Sequence, residues 1–265
     1  MRAHAPGSVT GLFAPAPSSE SGRSRGASFA IRDGVVAALE PAGTTSVTVD
    51  GETAPFDPVV GVLEELGVTA AVDVRPDVPL GSGFGASGAA TLATALAADA
   101  AFELGRPRDA LVEAAHRAEL EAGTGQGDVF VQDRGGLLWS TTGEIERAVP
   151  DEPVEYATAG GLPTAQILAD ERFLDAARRW GRRHLEALSE PPTLRELAER
   201  SRKYAERTGI ATEFVEGELE RVGAAGGAAG MALFGETVFA VGVDGVLSQR
   251  TSVAADGARL LPEEG

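Results

Sequence analysis

The chain has 265 residues and carries 40 acidic against 23 basic residues, a formal net charge of −17. It contains no cysteine, which excludes disulfides, thiolate metal sites and thiol nucleophiles, and its acidic balance speaks against a nucleic-acid-binding protein. Its single lysine, Lys203, lies outside the sequence contexts that a P-loop, a protein kinase or a pyridoxal-phosphate enzyme requires.

The acidic, lysine-poor composition favours a salt-rich cytoplasm, where counterions screen the repulsion between surface charges. An ordinary acidic protein from a GC-rich genome would have a similar composition, so both interpretations stay open. Residues 1–17 resemble a signal peptide superficially, but Pro6, Gly7 and Gly11 interrupt its apolar core. Residues 83–98 are too weakly hydrophobic to span a bilayer. We therefore expect a cytoplasmic protein that binds neither membrane nor nucleic acid.

The first part of the chain predicts short strands followed by helices. Residues 29–31 and 35–39 are apolar and flank the turn sequence Arg32-Asp33-Gly34, which is typical of a hairpin. The apolar residues after Asp57 recur at helical spacing as far as Gly67, which predicts a helix. The further predicted elements are strands at 45–49 and 70–74, an alanine-rich helix that leads from a glycine loop to Gly105, and a helix at 107–121.

The rest of the chain predicts two strands, a boundary and a helical region. The strands are expected at 129–131 and 136–139. The polar, acidic stretch at 141–153 is the candidate boundary, and it divides the chain into domains at 1–150 and 151–265. Beyond it we expect helices at 172–188, 193–208 and 212–222, strands at 231–234 and 238–243, and a frayed acidic tail after Ala254.

The segment at 79–90, PLGSGFGASGAA, joins a glycine-rich loop to the start of a helix. Crowded backbone amides and the helix N-terminus together predict an anion site, for which phosphate is the usual ligand. The hydroxyl of Ser87 stands where it either caps the helix or contacts a phosphate or metal. Residues 83–88 also match the dinucleotide fingerprint GxGxxG, but residues 75–82 separate this match from the preceding strand, whereas the fingerprint lies at the strand end itself.

A second glycine loop follows the helix that carries His116 and Glu119. These two side chains are three positions apart and point to one face of the helix. Residues 123–127, GTGQG, then lead to Asp128, which we expect at the start of a strand. Phosphoryl transfer needs oxygens that hold magnesium and a carboxylate that orients or deprotonates the attacking hydroxyl. A solvated helix face for Glu119, a turn role for Asp128 and an ordinary helix histidine at His116 are the structural alternatives.

Three motifs in chain order resemble those of the GHMP kinases, the superfamily of galactokinase and the homoserine, mevalonate and phosphomevalonate kinases. They are the glycine loop, read as Pro-x-x-x-Gly-[Leu/Phe]-Gly-x-Ser-x-Ala, the opening motif APGSVTG at 5–11, and a third glycine-rich motif at 223–230 with the strand after it. The resemblance implies an α+β, two-domain fold in which a phosphate loop leads into a helix, and ATP as cofactor. The residues that it assigns to ATP are Pro79, Gly81, Ser82, Gly83, Phe84, Gly85, Ala86, Ser87 and Gly88.

Within that superfamily the chain resembles the archaeal pantoate kinases. The shared features are the opening at 7–13, the serine–glycine segment at 24–27, and a histidine–glutamate helix that runs into TGxGD at 124–128. This resemblance implies transfer of a phosphoryl group from ATP to pantoate, a step toward coenzyme A. It implies catalytic roles for Ser87, Glu119 and Asp128, with Ser87 and Glu119 as the Mg²⁺ ligands. The residues that it assigns to pantoate are Ser24, Arg25, His116 and Thr164.

Some features stay open. The strand after Gly135-Gly136, where that family tends to place a substrate arginine, contains none, so the cation that pairs the substrate carboxylate is undetermined, with Arg25 and His116 as candidates. A GHMP kinase for another small hydroxylated substrate, of the homoserine, mevalonate or shikimate type, is one alternative. A non-catalytic nucleotide-binding regulator on the same scaffold is another, and the acceptor-side Asp128 argues against it. A homodimer is expected because it is common in the superfamily.

Overall fold

A computed structural model describes residues 1–16, 24–125, 127–141 and 144–262 of the chain. The described residues form two β-sheets, one of eight strands and one of four, together with eight helices. Within these residues, no helix combines the length and the apolar character that crossing a membrane requires.

The larger sheet is built around two long antiparallel strands, β1 (Arg2–Ala14) and β2 (Arg25–Pro41). The predicted hairpin within 29–39 is wrong, because β2 runs through this segment as one strand. Its partner β1 continues alongside, with Ile31 opposite Gly7 and Gly34 opposite Pro6, so Arg32 and Asp33 form a bulge. A bulge and a turn share the same residue types, and only the paired strand distinguishes them.

The other strands of this sheet come from distant parts of the chain. The sheet has the order β12-β1-β2-β5-β3-β4, and β6 also pairs with β2 and carries β7 at its other edge. Their bounds are β3 Ser46–Val49, β4 Glu52–Thr53, β5 Ala70–Pro76, β6 Leu137–Trp139, β7 Glu146–Ala148 and β12 Arg259–Leu260. Because β12 pairs with β1, the tail is ordered as far as that strand, and the predicted fraying after Ala254 is wrong there.

Four helices belong to this part of the chain: α1 Asp57–Leu66, α2 Ala86–Ala101, α3 Arg108–Ala122 and α4 Asp128–Arg134. The predictions for α1, α2 and α3 are confirmed, and α1 ends at a left-handed Gly67 as its sequence indicates. The predicted strand at 129–131 is wrong, because these residues lie in α4. Val129, Val131 and Gln132 are buried there. A short apolar run fits a strand or a buried helix equally well by periodicity.

The smaller sheet has the order β11-β8-β10-β9. Its strands are β8 Pro153–Gly161, β9 Ala228–Ala232, β10 Gly235–Val241 and β11 Gln249–Ser252. The helices of this part are α5 Thr164–Ala169, α6 Glu171–Leu185, α7 Leu194–Thr208 and α8 Glu213–Ala224. The predicted helices correspond to α6, α7 and α8, and the hydroxyl of Thr193 caps α7 by accepting a hydrogen bond from the Glu196 amide at 3.1 Å.

The two sheets share one buried apolar core, to which both halves of the chain contribute. A backbone hydrogen bond of 2.9 Å, from the Leu233 amide to the Thr10 carbonyl, joins the β9–β10 turn to β1. Helix α7 packs on β9 through Ser201, whose buried hydroxyl bonds the backbone of Met231. The domain boundary at residue 150 stays a prediction. This packing brings the β9–β10 turn against the glycine loop.

Candidate active site

The glycine loop at 81–85 lies between the two sheets and is held from both. The Ser8 amide of β1 donates to the Phe84 carbonyl at 2.8 Å. From the other side, the buried Thr237 hydroxyl of β10 donates to the Ser82 carbonyl at 2.7 Å. The β9–β10 turn comes so close that a Cβ atom on Gly235 would overlap the Ser82 carbonyl. The position of the loop is therefore set by strands that are remote in sequence.

The loop passes directly into α2, and no side chain caps this helix. Gly85 is the N-cap residue and has a left-handed conformation, with φ 59°. The alternative in which Ser87 caps the helix is therefore wrong. The uncapped first turn presents backbone amides and a partial positive charge to an anion. This arrangement suits a phosphate group.

The residues assigned to ATP differ in what they expose. Phe84 is buried and packs edge-to-face on Tyr156, with ring centroids 4.9 Å apart. Ser82 and Ala86 are also buried, whereas Pro79 and Gly81 are exposed. A phosphate on this loop would therefore contact mainly backbone amides, while the Phe84 ring anchors the loop.

Glu119 is the buried acid at the centre of the site, with 2% of its surface exposed. Its Oε1 accepts hydrogen bonds from the hydroxyls of Ser87 at 2.7 Å and Thr91 at 2.9 Å. Its Oε2 accepts one from Thr124 at 3.0 Å. Burial raises the pKa of Glu119 despite these bonds, and the nearby Asp128 carboxylate raises it further. The alternative of a solvated helix face for Glu119 is wrong.

Asp128 begins α4 and faces the glycine loop. A Cβ atom on Gly85 would lie 3.2 Å from the Cβ of Asp128, and one on Gly88 would lie 3.6 Å from it. Its Oδ1 accepts hydrogen bonds from the hydroxyls of Ser8 at 3.1 Å and Thr10 at 3.3 Å. Burial raises the pKa of Asp128, and these two bonds oppose that shift. The structure therefore brings Ser87, Glu119 and Asp128 together around the start of α2.

The four residues assigned to the acceptor substrate are more dispersed. His116 lies on α3 one turn before Glu119, and its ring lies 4.9 Å from that of Phe130 on α4. Arg25 begins β2 and donates to the Thr141 carbonyl at 2.8 Å, beside a cavity that Glu186 and Glu190 also line. Ser24 precedes it, and Thr164 begins α5.

Of these four residues, only His116 lies on an element that also carries Ser87, Glu119 or Asp128: it shares α3 with Glu119. Within the described part of the chain, no hydrogen bond joins Ser24, Arg25 or Thr164 to Ser87, Glu119 or Asp128.

Several polar residues of the site were not assigned from the sequence. They are Ser8 and Thr10 of β1, Ser28 of β2, Thr91 of α2, Thr124 of the loop before α4, and Gln132 of α4. Ser8, Thr10 and Thr124 stand inside the quoted motifs, and Thr91 follows Ser87 by one helical turn, so motif position and helical spacing were usable signals. Gln132 stands in an apolar run that gave no such signal.

The third glycine-rich segment packs against α7. Residues 223–230 connect α8 to β9, and Gly230 allows α7 to approach, since a Cβ atom there would lie 2.7 Å from the Ser201 Cβ. Gly235, the first residue of β10, is in contact with the glycine loop. The ATP contacts of 223–230 and the strand after it stay a prediction.

The segment that carries most of these residues matches a known protein family. Residues 57–136, which span α1 to α4 and hold the glycine loop, Glu119 and Asp128, match the family model of the GHMP kinases N-terminal domain. Residues 57–136 are therefore similar to a GHMP kinase N-terminal domain. The family resemblance drawn from the sequence is thereby confirmed.

Two relatives match almost the whole chain. A pantoate kinase of Methanocaldococcus jannaschii is 29% identical over 262 residues, covering 94% of this chain and 95% of the relative. A pantoate kinase of Methanospirillum hungatei is 26% identical over 257 residues, covering 91% and 87%. A solved phosphotransferase related to the CoA biosynthesis pathway has a TM-score of 0.83 at 24% identity, covering 97% of both chains. The predicted α+β GHMP kinase fold is confirmed.

Proposed function

We propose that this protein is an ATP-dependent kinase that phosphorylates the primary hydroxyl of pantoate to give 4-phosphopantoate, a step toward coenzyme A. The observation that carries the proposal is the position of Asp128, whose Cβ lies beside Gly85 at the end of the glycine loop and Gly88 in the first turn of α2. The choice of pantoate rests on the two curated relatives, which are pantoate kinases and match nearly the whole chain.

In this proposal the glycine loop holds the phosphates of ATP. The backbone amides of 83–88 and the dipole of α2 supply the positive potential that other kinases obtain from a lysine. The loop is braced by the Ser8 amide and the Thr237 hydroxyl. A braced loop keeps the γ-phosphoryl group at a fixed distance from the acceptor, and alignment of this kind is a large part of phosphoryl-transfer catalysis.

The donor set around Glu119 suits Mg²⁺. Magnesium takes hard oxygen ligands and binds through one or two protein groups together with the phosphates of the substrate. The Ser87 hydroxyl and the Glu119 carboxylate lie within 2.7 Å of each other, next to the start of α2. Ser87 and Glu119 would hold the ion, which would supply positive charge to the phosphates of ATP. Burial raises the pKa of Glu119, and a cation beside this carboxylate would oppose that shift.

Asp128 acts on the acceptor. Ser8 and Thr10 bond to its Oδ1, and these two bonds fix the carboxylate so that Oδ2 can face the substrate hydroxyl. As the hydroxyl oxygen bonds to the γ-phosphorus, the bond from that phosphorus to the bridging oxygen breaks, ADP leaves and the hydroxyl proton passes to Asp128. Burial raises the pKa of this carboxyl, which makes it a better proton acceptor.

Pantoate would be held by Ser24, Arg25, His116 and Thr164. His116 lies on the helix that carries Glu119, and its ring is 4.9 Å from that of Phe130. Arg25 is the cation proposed for the substrate carboxylate. Its side chain donates a hydrogen bond to the Thr141 carbonyl, two residues after β6. Strand β6 itself carries no arginine.

The test is an assay of ADP release by the purified protein with ATP, Mg²⁺ and a panel of acceptors, at several salt concentrations. We expect turnover with pantoate and none with homoserine, mevalonate or shikimate. Turnover with one of those and not with pantoate would overturn the substrate assignment but keep the kinase class. ATP binding without turnover on any acceptor would favour a nucleotide-binding regulator.

The remaining parts of the proposal concern the setting of the enzyme. A cytoplasmic location, an archaeal source and a salt-rich interior fit the acidic, lysine-poor composition. Activity that rises with potassium chloride into the molar range supports the last of these, and activity that falls steadily over the same range opposes it. The proposed homodimer is checked by light scattering of the purified protein.

A further inference from the structure

Gln132 occupies a fully buried position one helical turn after Asp128 on α4. Its amide nitrogen donates to the Gly85 carbonyl at 2.7 Å and to the Ser8 hydroxyl at 3.3 Å. The same Ser8 hydroxyl donates to Asp128 Oδ1 at 3.1 Å. A single side chain therefore connects the last residue of the phosphate loop with the hydrogen bond that holds the acceptor-side carboxylate.

The direction of these bonds is determined by their partners. The Gly85 carbonyl can only accept, so the nitrogen of the Gln132 amide must face it. The Ser8 hydroxyl accepts from that amide and donates its own proton to Asp128. Hydrogen bonds that run in one direction polarise one another, so the amide strengthens the bond from Ser8 to the carboxylate.

Packing does not require a glutamine here. The Gln132 Oε1 atom is buried without a hydrogen-bond partner among the described residues, which costs free energy of folding. A methionine would fill a similar volume without burying an unpaired oxygen. The contacts are nonetheless close, because a Cβ atom on Gly85 would overlap the Ser8 hydroxyl and lie 2.7 Å from the Gln132 amide nitrogen.

We propose that Gln132 is a positioning residue for phosphoryl transfer, which couples the phosphate loop at Gly85 to the Asp128 carboxylate through Ser8. This inference rests on the proposed kinase function but not on the identity of the acceptor. When these hydrogen bonds are intact, the nucleotide on the loop and the acceptor hydroxyl beside Asp128 stay at a fixed distance from each other. Without it, both substrates still bind and their relative alignment is lost.

The test is a double-mutant cycle between Gln132→Met and Ser8→Ala, read out as kcat and as KM for ATP. Gln132→Met alone is expected to lower kcat by about tenfold or more, because small misalignments of reacting groups are costly, and to change KM for ATP much less. In the Ser8→Ala background the same substitution is expected to cost about twofold at most, because the connection to Asp128 is already broken. An equal loss of kcat in both backgrounds overturns the proposal.

A matched control separates positioning from stability. Ser201→Ala removes another buried hydrogen-bonding side chain, at the contact of α7 with β9 and away from the site. It is expected to lower the melting temperature without lowering kcat. If Gln132→Met lowers kcat only as far as Ser201→Ala does at equal loss of stability, the role of Gln132 is structural and the proposal fails.

The pH profile supplies a second readout. A weaker bond from Ser8 disfavours the ionised Asp128, so the acidic limb of kcat/KM should move to higher pH in Gln132→Met, and an unmoved limb opposes the coupling. If that variant does not fold, Gln132→Leu carries the same cycle, since its side chain also donates no hydrogen bond. The cycle uses whichever acceptor the wild type phosphorylates, or ATP hydrolysis by water, so its outcome is separate from the substrate assignment.

Discussion

Two single variants, Gly85→Ala and Gly81→Ala, test whether contacts with Ser8 and Gln132 hold the glycine loop in place. Both glycines have left-handed backbones, with φ 59° and 76°, so an alanine at either position costs about 1 kcal/mol in the backbone. A Cβ atom at Gly81 meets nothing within 4 Å, whereas one at Gly85 overlaps the Ser8 hydroxyl and crowds the Gln132 amide. The pair therefore has a common backbone cost and differs in the contacts that are displaced.

The difference in stability between the two variants follows from the hydrogen bonds that a methyl group at Gly85 would displace. Displacing the neutral bond from Gln132 to the Gly85 carbonyl costs about 1 kcal/mol, and weakening the bond from Ser8 to the Asp128 carboxylate costs about 2 kcal/mol. Gly85→Ala should therefore be about 3 kcal/mol less stable than Gly81→Ala. For a chain of this size that difference corresponds to a melting temperature lower by about 6 to 12 °C.

The assay is urea unfolding of both variants and the wild type, at one pH and one salt concentration, with kcat and KM for ATP measured in parallel. We expect Gly85→Ala to lose more stability and more turnover than Gly81→Ala. Equal destabilisation of the two variants would contradict this prediction, because it would mean that Ser8 and Gln132 move aside without cost.

Three further substitutions have expected outcomes. Asp128→Asn keeps the size of the side chain and an oxygen that accepts from Ser8 and Thr10, but it removes the proton acceptor. We therefore expect kcat to fall by about 10² to 10⁴ while ATP binding is kept. Turnover near that of the wild type would contradict the proposed role of Asp128. Glu119→Gln should also be inactive, yet more stable than the wild type at neutral pH without ligand. Because burial raises the pKa of Glu119 above its ordinary 4.5, the native protein keeps a proton that the unfolded chain releases, and the free energy of unfolding falls as pH rises through this window. Melting curves from pH 4 to 8 should show a flatter decline in Glu119→Gln and an unchanged one in the exposed control Glu121→Gln; a steeper decline in Glu119→Gln contradicts the raised pKa. Ser201→Ala leaves the Met231 amide and carbonyl without their hydroxyl partner and should cost about 2 kcal/mol in urea unfolding, a result that an unchanged midpoint would contradict.

The local pattern of the sequence was sufficient for the helices and for the main parts of the site. Apolar spacing that ends at Gly67 predicted α1, because helical periodicity acts over a few residues. The motifs also identified Ser87, Glu119 and Asp128 as candidates, and these three residues lie together in the structure. Their catalytic and metal-binding roles stay predictions.

Local pattern failed where a partner from elsewhere in the chain decides the outcome. The segment at 32–34 is a bulge and not a turn because β1 runs alongside it, and 129–131 is helical because α4 packs on α2 and β1. The hydroxyl of Ser87 bonds to Glu119, 32 positions away, in place of the nearer helix cap. The apolar run that contains Gln132 gave no sign of the polar contact it makes with Ser8, 124 positions away.

The acidic character of the chain, most of its helices and the chemistry of its motifs follow from the amino-acid sequence alone. Which oxygens and amides meet depends on tertiary packing. Ser8 and Asp128 are 120 positions apart, and nothing in the short-range spacing of side chains encodes a contact over that distance. The pairing of β1 with β2 and the packing of α4 against the glycine loop bring these groups together, because burying their apolar faces leaves one arrangement for the polar groups between them.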